Sequence, residues 1–220
     1  MIEYHKIKTL FQRDPKNMRF VLEGQWSMPE FEYLSSNKWV WTEKVDGTNV
    51  RVMWGGAGLS FGGKTDNAQM PMPLVQKLQG LFDTTPKRQI FKELFEKPNE
   101  DGEIDEPNVC LYGEGYGAKI QKGGGNYRAD GVDFVLFDVK VGNWWLQRKD
   151  VEDIAVKLGI KVVPIVGEGT LLDAVEMVKK GFNSQWGEFP AEGLVCRPYT
   201  ELCTRSGHRI ITKIKCRDFV

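Results

Sequence analysis

Apolar and polar positions along the chain change period several times, and each change marks an element. Thr42 to Trp54 reads as β-strand on both sides of a polar bend, KVDGTN (Lys44 to Asn49). Leu59 to Gly62 reads as a paired strand across the Gly-rich turn Gly55 to Gly58. Pro73 to Phe82 carries Leu74, Val75, Leu78 and Phe82 at helical spacing, with Pro73 suited to the first helical position. Lys87 to Glu96 predicts a second amphipathic helix, followed by the acidic stretch NEDGEIDEPN as a loop or mobile hairpin. Val109 to Tyr112 and Phe134 to Val139 are short apolar runs of the kind that form buried strands, separated by a Gly-rich loop. Asp150 to Leu158 and Leu171 to Lys180 predict helices stopped by Gly159 and Gly181. Gly193 to Arg197 and Arg209 to Lys215 return to strand. No regular βαβ rhythm emerges, so the fold class is α+β with antiparallel sheets.

Composition narrows the picture. A chain of 220 residues with 41% hydrophobic and 27% charged residues suits one domain with a core of its own and a charged surface. No apolar run approaches the ~20 residues of a membrane span, and the N-terminus lacks a signal-peptide core. Four cysteines without a C-x-x-C pair, and two histidines, argue against a zinc site and for a reduced cytoplasmic setting. Thirty cations balance thirty acids, but unevenly. Cys196 to Arg217 holds six cations against Glu201, whereas Glu93 to Glu106 holds seven acids against Lys97. A basic C-terminal face fits local phosphate binding, and a solvated charged surface is the plain alternative.

Candidate chemistry begins at Lys44. A lysine, a carboxylate two residues on and a glycine directly after it place an amine and an acid at a tight bend between strands. Such an amine attacks phosphorus when neighbouring cations or burial keep part of it unprotonated. Alone, K-x-D-G is an ordinary turn sequence. Four further segments accompany it: LYGEGYG with Glu114 at a strand end, DFVLFDV with Phe137 and Asp138 at a strand exit, PAEGLVCRP with Glu192 before a strand, and ITKIKCRDF with Lys213 and Lys215 on one strand face. Each has a dull counterpart, and a K-x-K pair is also a familiar guard on edge strands.

The ordered series K-x-D-G, Y-G-E, F-x-x-F-D, E-G-x-V, K-x-K resembles the motifs of covalent nucleotidyltransferases: ATP-dependent DNA ligases, RNA ligases and capping guanylyltransferases. The fuller form E-K-x-D-G-T-N-x-R is most similar to the RNA-ligase branch, especially its small phage-type enzymes. The resemblance spans Trp41 to Val220 and implies a nucleotidyltransferase fold, the ATP-grasp-like adenylylation domain of antiparallel sheets flanked by helices. It implies that residues 1–220 form a single catalytic domain without a C-terminal accessory domain. Either residues 1–40, where Lys6, Lys8, Arg13, Lys16 and Arg19 interleave with Phe11, Phe20 and Trp26, would touch nucleic acid, or a partner would, or the chain is a catalytic core.

The implied roles follow residue by residue. Lys44 would attack the α-phosphate of ATP and hold AMP, while Lys213 and Lys215 neutralise that phosphate and lower the pKa of Lys44. Glu114 would bind ribose hydroxyls, Phe137 would stack on adenine and Glu43 would read its amino group. Glu192 and Asp46 would hold a hydrated Mg²⁺ or Mn²⁺. Asn49, Arg51 and Lys64 would meet the AMP phosphate or the nucleic-acid end.

Three departures qualify this. Lys64 stands where related ligases tend to carry arginine, which loses a bidentate phosphate grip. The K-x-K motif has a second register, Lys215 and Arg217. The chain also ends five residues after Lys215. The implied activity is an ATP-dependent RNA ligase acting in RNA repair inside a phage-infected or bacterial cell. It would be a monomer, not at a membrane, joining 5′-phosphate and 3′-hydroxyl ends, including nicked duplexes or RNA–DNA hybrids. A minimal DNA ligase, a GTP-using capping enzyme and a non-catalytic nucleotide or RNA-end binding module are the alternatives.

Overall fold

The computed structural model describes residues 3–98, 100–101 and 108–219. Most of the acidic stretch expected at Asn99 to Asn108 therefore lies outside the described residues. The chain packs as two compact units, Asp46–Val162 with Tyr4, and His5–Val45 with the chain from Val163 on. Each unit has its own hydrophobic core. Among the described residues no helix is long and apolar enough to cross a membrane.

In the first unit, four strands form an antiparallel ladder in the order Gly58–Gly62, Thr48–Gly55, Val109–Gly117, Val132–Val141. Lys161–Val162 adds in parallel, and Trp144–Trp145 folds back on the last of the four. The expected helix from Pro73 is present as Met72–Phe82 and buries Leu74, Leu78 and Phe82, one face at i, i+4, i+8. Helices Thr85–Phe95 and Arg148–Leu158 complete this core, where Trp54 stacks on Phe91 at 5.3 Å between ring centres. Each such side chain, fully buried, contributes about 1.5–3 kcal/mol. Gly159 ends its helix at φ +62°, as its position predicts.

Two strand boundaries differ from expectation. The run at Val109 does not stop at Tyr112 but continues to Gly117, so Glu114 lies inside a strand, opposite Asn49. The glycines on either side of it are packing features: a Cβ on Gly113 would lie 2.2 Å from the Phe134 ring, so the chain stays flat where a turn was expected. Likewise Phe137 and Asp138 lie within the Val132–Val141 strand, not at its exit. The register steps from Tyr112↔Asp138 to Gly113↔Leu136, which leaves Phe137 as the extra residue of a β-bulge.

In the second unit a five-stranded sheet runs Lys8–Thr9, Thr212–Lys215, Gly193–Pro198, Trp39–Glu43, Ile165–Gly169. The first pair is parallel and the rest are antiparallel. The stretch Thr42 to Trp54 is thus two strands in two sheets, and the chain passes from one to the other through the bend at Lys44. Helix Leu171–Lys180 buries Leu171, Ala174, Val175 and Val178 in the core that also contains Trp39, Trp41, Leu194 and Ile214. A capping box opens this helix: Thr170 Oγ1 accepts from the Asp173 amide at 3.1 Å, and Asp173 accepts from the Thr170 amide at 2.8 Å. The strand expected from Arg209 begins only at Thr212. It lies inside the sheet with a neighbour on each side, which removes the edge-guard reading of the K-x-K pair.

Candidate functional site

The second unit gathers the lysines. Lys44 leaves the sheet directly after Glu43, and its amide donates to the Gly193 carbonyl at 2.9 Å. That bond holds the bend against the start of the Gly193–Pro198 strand, where Glu192 stands. Gly193 faces Lys215 across the ladder at φ +150°, and a Cβ there would sit 2.1 Å from the Ile214 carbonyl oxygen. Only glycine lets the two strands close up in this way. The result is an acid between two lysines: Glu192 Oε2 accepts from Lys44 Nζ, and Oε1 from Lys215 Nζ at 2.6 Å. These side chains are 12–22% exposed, out of bulk water but reachable. Lys213 and Lys215 share the sheet face opposite buried Thr212 and Ile214, as their spacing predicts.

The electrostatics follow from this crowding. Burial alone would raise the Glu192 carboxyl, but the Lys44 charge and the hydrogen bonds from Lys215 and Lys44 outweigh it and hold it below its usual range. Lys213 has the opposite fate: burial first, then the charges of Lys215, Lys44 and Arg13, push it down to about 8. Because this value is below the ordinary 10.5, the folded state is penalised while the amine is charged, and stability rises as pH climbs from about 8 towards 10.5. Lys213→Met should therefore stabilise the fold at pH 7 by ~1 kcal/mol, a rise of about 2–4 °C in melting temperature. It should also flatten that alkaline rise. Thermal melts at pH 7 and above 9 check both.

Glu43 sits differently from its expected role. The strand alternation puts it on the face of Trp39 and Trp41, 1% exposed, with Oε1 accepting from Ser184 Oγ at 2.5 Å and Oε2 from the Gln185 amide at 2.7 Å. Both oxygens are engaged internally and tie the strand to the Ser184 turn. Ser184 and Gln185 carry no sequence signal of their own. Arg13 in the same unit pairs with buried Asp218 at 2.7 Å, a contact the sequence did not suggest.

The first unit holds the other expected residues. Asn49 and Glu114 are paired across the ladder, and Asn49 Oδ1 is buried without a hydrogen-bond partner. Phe137, half-buried on its bulge, meets the Tyr4 ring edge-on at 5.0 Å, and Tyr4 donates to buried Asp138. The Asp46 amide donates to Tyr127 Oη at 3.2 Å, and a Cβ on Gly47 would lie 2.3 Å from the Gly115 carbonyl oxygen. The glycine of K-x-D-G is thus demanded by strand contact. Arg51 is only 1% exposed and donates to the Gly63 carbonyl at 2.8 Å and to Asp66 at 2.7 Å. It clamps the turn that carries exposed Lys64.

Among the described residues no group of three His, Cys, Asp or Glu side chains is placed to hold a metal. A hydrated Mg²⁺ asks for less, one or two carboxylates plus substrate phosphates. An ionised Glu192 fits that demand as a single ligand.

The RNA ligase family model matches residues 37–215. No curated protein matches the sequence at a meaningful level. Among solved structures, the chain is similar to Naegleria gruberi RNA ligase with PPi, at 18% identity and TM-score 0.66, covering 97% of this chain and 56% of that one. It is also similar to a mutant of that enzyme with AMP and Mn, at 17% identity and TM-score 0.67, covering 97% and 56%. A further mutant with ATP and Mn gives 17% identity and TM-score 0.62, covering 85% and 51%. The chain thus spans little more than half the length of these proteins, and the likeness is one of fold.

Proposed function

The chain belongs to the RNA ligase family, and from that premise we propose that it is an ATP-dependent ligase of RNA ends that works through a lysyl-AMP intermediate. The observation that carries the proposal is the meeting of Lys44, Glu192 and Lys215, with 148 positions of sequence between Lys44 and the acid it contacts. The Lys44 lone pair attacks the α-phosphorus of ATP, a P–N bond forms, the bond to the β-phosphate oxygen breaks, and pyrophosphate leaves. Lys213 and Lys215 offset the charge that builds on the α-phosphate. An amine held as an ion-pair donor has no lone pair to give, so the Glu192 contact is a resting arrangement that nucleotide binding displaces. Mg²⁺ or Mn²⁺, when bound, would screen the phosphates, with Glu192 as a ligand and Asp46 as a second candidate.

The AMP then passes to a 5′-phosphate, restoring the Lys44 amine, and a 3′-hydroxyl attacks the activated end with AMP as the leaving group. The orphaned Asn49 oxygen, beside Glu114 in the ladder, is an acceptor that a ribose hydroxyl would satisfy. Phe137, re-aimed by its bulge, has the half-buried ring a base could stack on. Lys64 would meet a phosphate as a point charge. Incubation with ATP and Mg²⁺ followed by denaturing mass spectrometry should show an AMP adduct, and the charged enzyme should seal nicked RNA. An adduct from GTP or NAD instead would move the chain to another branch. No adduct from any nucleotide would leave a binding module.

A further inference from the structure

The second unit carries a groove of about 990 Å³ that reaches past the Lys213–Lys215 pair used in adenylylation. Lys6, Lys8, Arg13 and Arg19 line it from the N-terminal segment, and Lys213, Lys215 and Arg217 from the C-terminal strand and the turn after it. Among the described residues no acidic side chain lines it. Arg13 is paired with Asp218 and Lys215 with Glu192. Lys6, Lys8, Arg19, Lys213 and Arg217 have no acidic partner within ion-pair distance among the described residues. On a chain of net charge zero, five uncompensated cations around one concavity make a local positive field of the kind that binds polyanions.

We propose that this groove holds the sugar–phosphate backbone of a single RNA strand, with the Lys213–Lys215 end towards Lys44 and the Arg19 end away from it. The inference rests on the RNA-ligase reading for the identity of the polyanion. A triphosphate accounts for the groove less well, because its cations extend well beyond Lys215, the one of them that meets Glu192. Gln12, whose Nε2 donates once to the Trp26 carbonyl, keeps a second amide hydrogen and its Oε1 for phosphate oxygens and sugar hydroxyls, while the Thr9 and Ser27 hydroxyls donate to backbone carbonyls and can only accept from a sugar hydroxyl. Met18, 66% exposed at the rim, offers an apolar surface for an unstacked base.

The test is a titration of the full chain, without ATP, against a short fluorescent single-stranded RNA with a 5′-phosphate, at several salt concentrations. The variants are the triple Lys6→Ala, Lys8→Ala, Arg19→Ala and, separately, the single reversal Arg19→Glu, each checked by thermal melting. The triple variant should lose roughly tenfold or more in affinity, and its log–log salt slope should fall by about two, the loss of three single-strand phosphate contacts. Arg19→Glu should shift affinity in the same direction, and both should form the AMP adduct at the parent rate. Unchanged affinity and salt slope in folded variants would overturn the proposal. So would a triple variant that loses adduct formation as steeply as RNA binding, because the groove would then serve the nucleotide. If the parent forms no adduct, the ligase reading fails, yet the RNA titration still decides the groove.

Discussion

Neither Lys44→Ala nor Lys44→Arg should form any AMP adduct above background under conditions that fully charge the parent chain. The pair separates two roles of one side chain. Alanine removes both the nucleophile and the cation that Glu192 contacts. Arginine restores the cation but stays protonated at any workable pH, so it has no lone pair for phosphorus. If Lys44 served only to hold Glu192 in place, Lys44→Arg would retain much of the activity. Complete loss in both, read by intact mass after ATP and Mg²⁺, assigns the attack to this amine. The stability cost should be small, about 1 kcal/mol or less for the alanine variant, because the pair is partly exposed and Lys215 still holds Glu192. Melting temperatures would separate lost chemistry from lost fold.

Glu192→Gln should have the second-largest effect, and on two observables. The amide keeps the size and one acceptor oxygen but removes the charge that offsets Lys44 and Lys215. Breaking a pair this well shielded should cost about 2 kcal/mol, below the 3–5 kcal/mol of fully buried pairs, and lower the melting temperature by about 4–8 °C. The pH dependence carries a sign. The Glu192 carboxyl is depressed in the folded chain, so its stabilisation is present at and above its ordinary value of 4.5 and disappears as pH falls through the lower folded value. The parent should lose stability on acidification below about pH 4.5 by a margin that the glutamine variant lacks. Adenylylation at neutral pH should fall by about 10–100-fold, the usual penalty for losing a residue that orients a metal or its ligands.

What the sequence made legible depended on how local the cause was. Helix Leu171–Lys180 was readable because its apolar spacing and its stop at Gly181 lie within a dozen positions. The shared face of Lys213 and Lys215 followed from strand period alone. The burial of Glu43 had a local signal: it is two and four residues from Trp41 and Trp39, hence on their buried face. Its partners Ser184 and Gln185 lie some 140 positions away, with nothing in their type to announce them. The burial of Arg51 was not legible, since a charged residue in a strand is read as exposed until the turn that satisfies it is seen. Gly113 and Gly115 were read as part of a Gly-rich loop, but there they make room for the Phe134 ring and for Leu74. A bulge such as that at Phe137 depends on the register of two strands, which neither strand encodes alone.

The sheet that carries the lysine pair also sets when the site can exist. Thr212–Lys215 is flanked on one side by Lys8–Thr9, a neighbour 204 positions earlier that is tied to it by the Thr212 hydroxyl donating to the Lys8 carbonyl at 3.1 Å. Contacts of such long range form only after the intervening chain has been closed into a loop, whose entropy is lost before they return anything. On a ribosome, Lys8 and Lys44 are made first and wait, and the acid at 192 and the lysines at 213 and 215 follow 148 or more positions after Lys44. The nucleophile is thus synthesised early but assembled late, and a partly translated chain has an amine at position 44 without the charges that would set it to work.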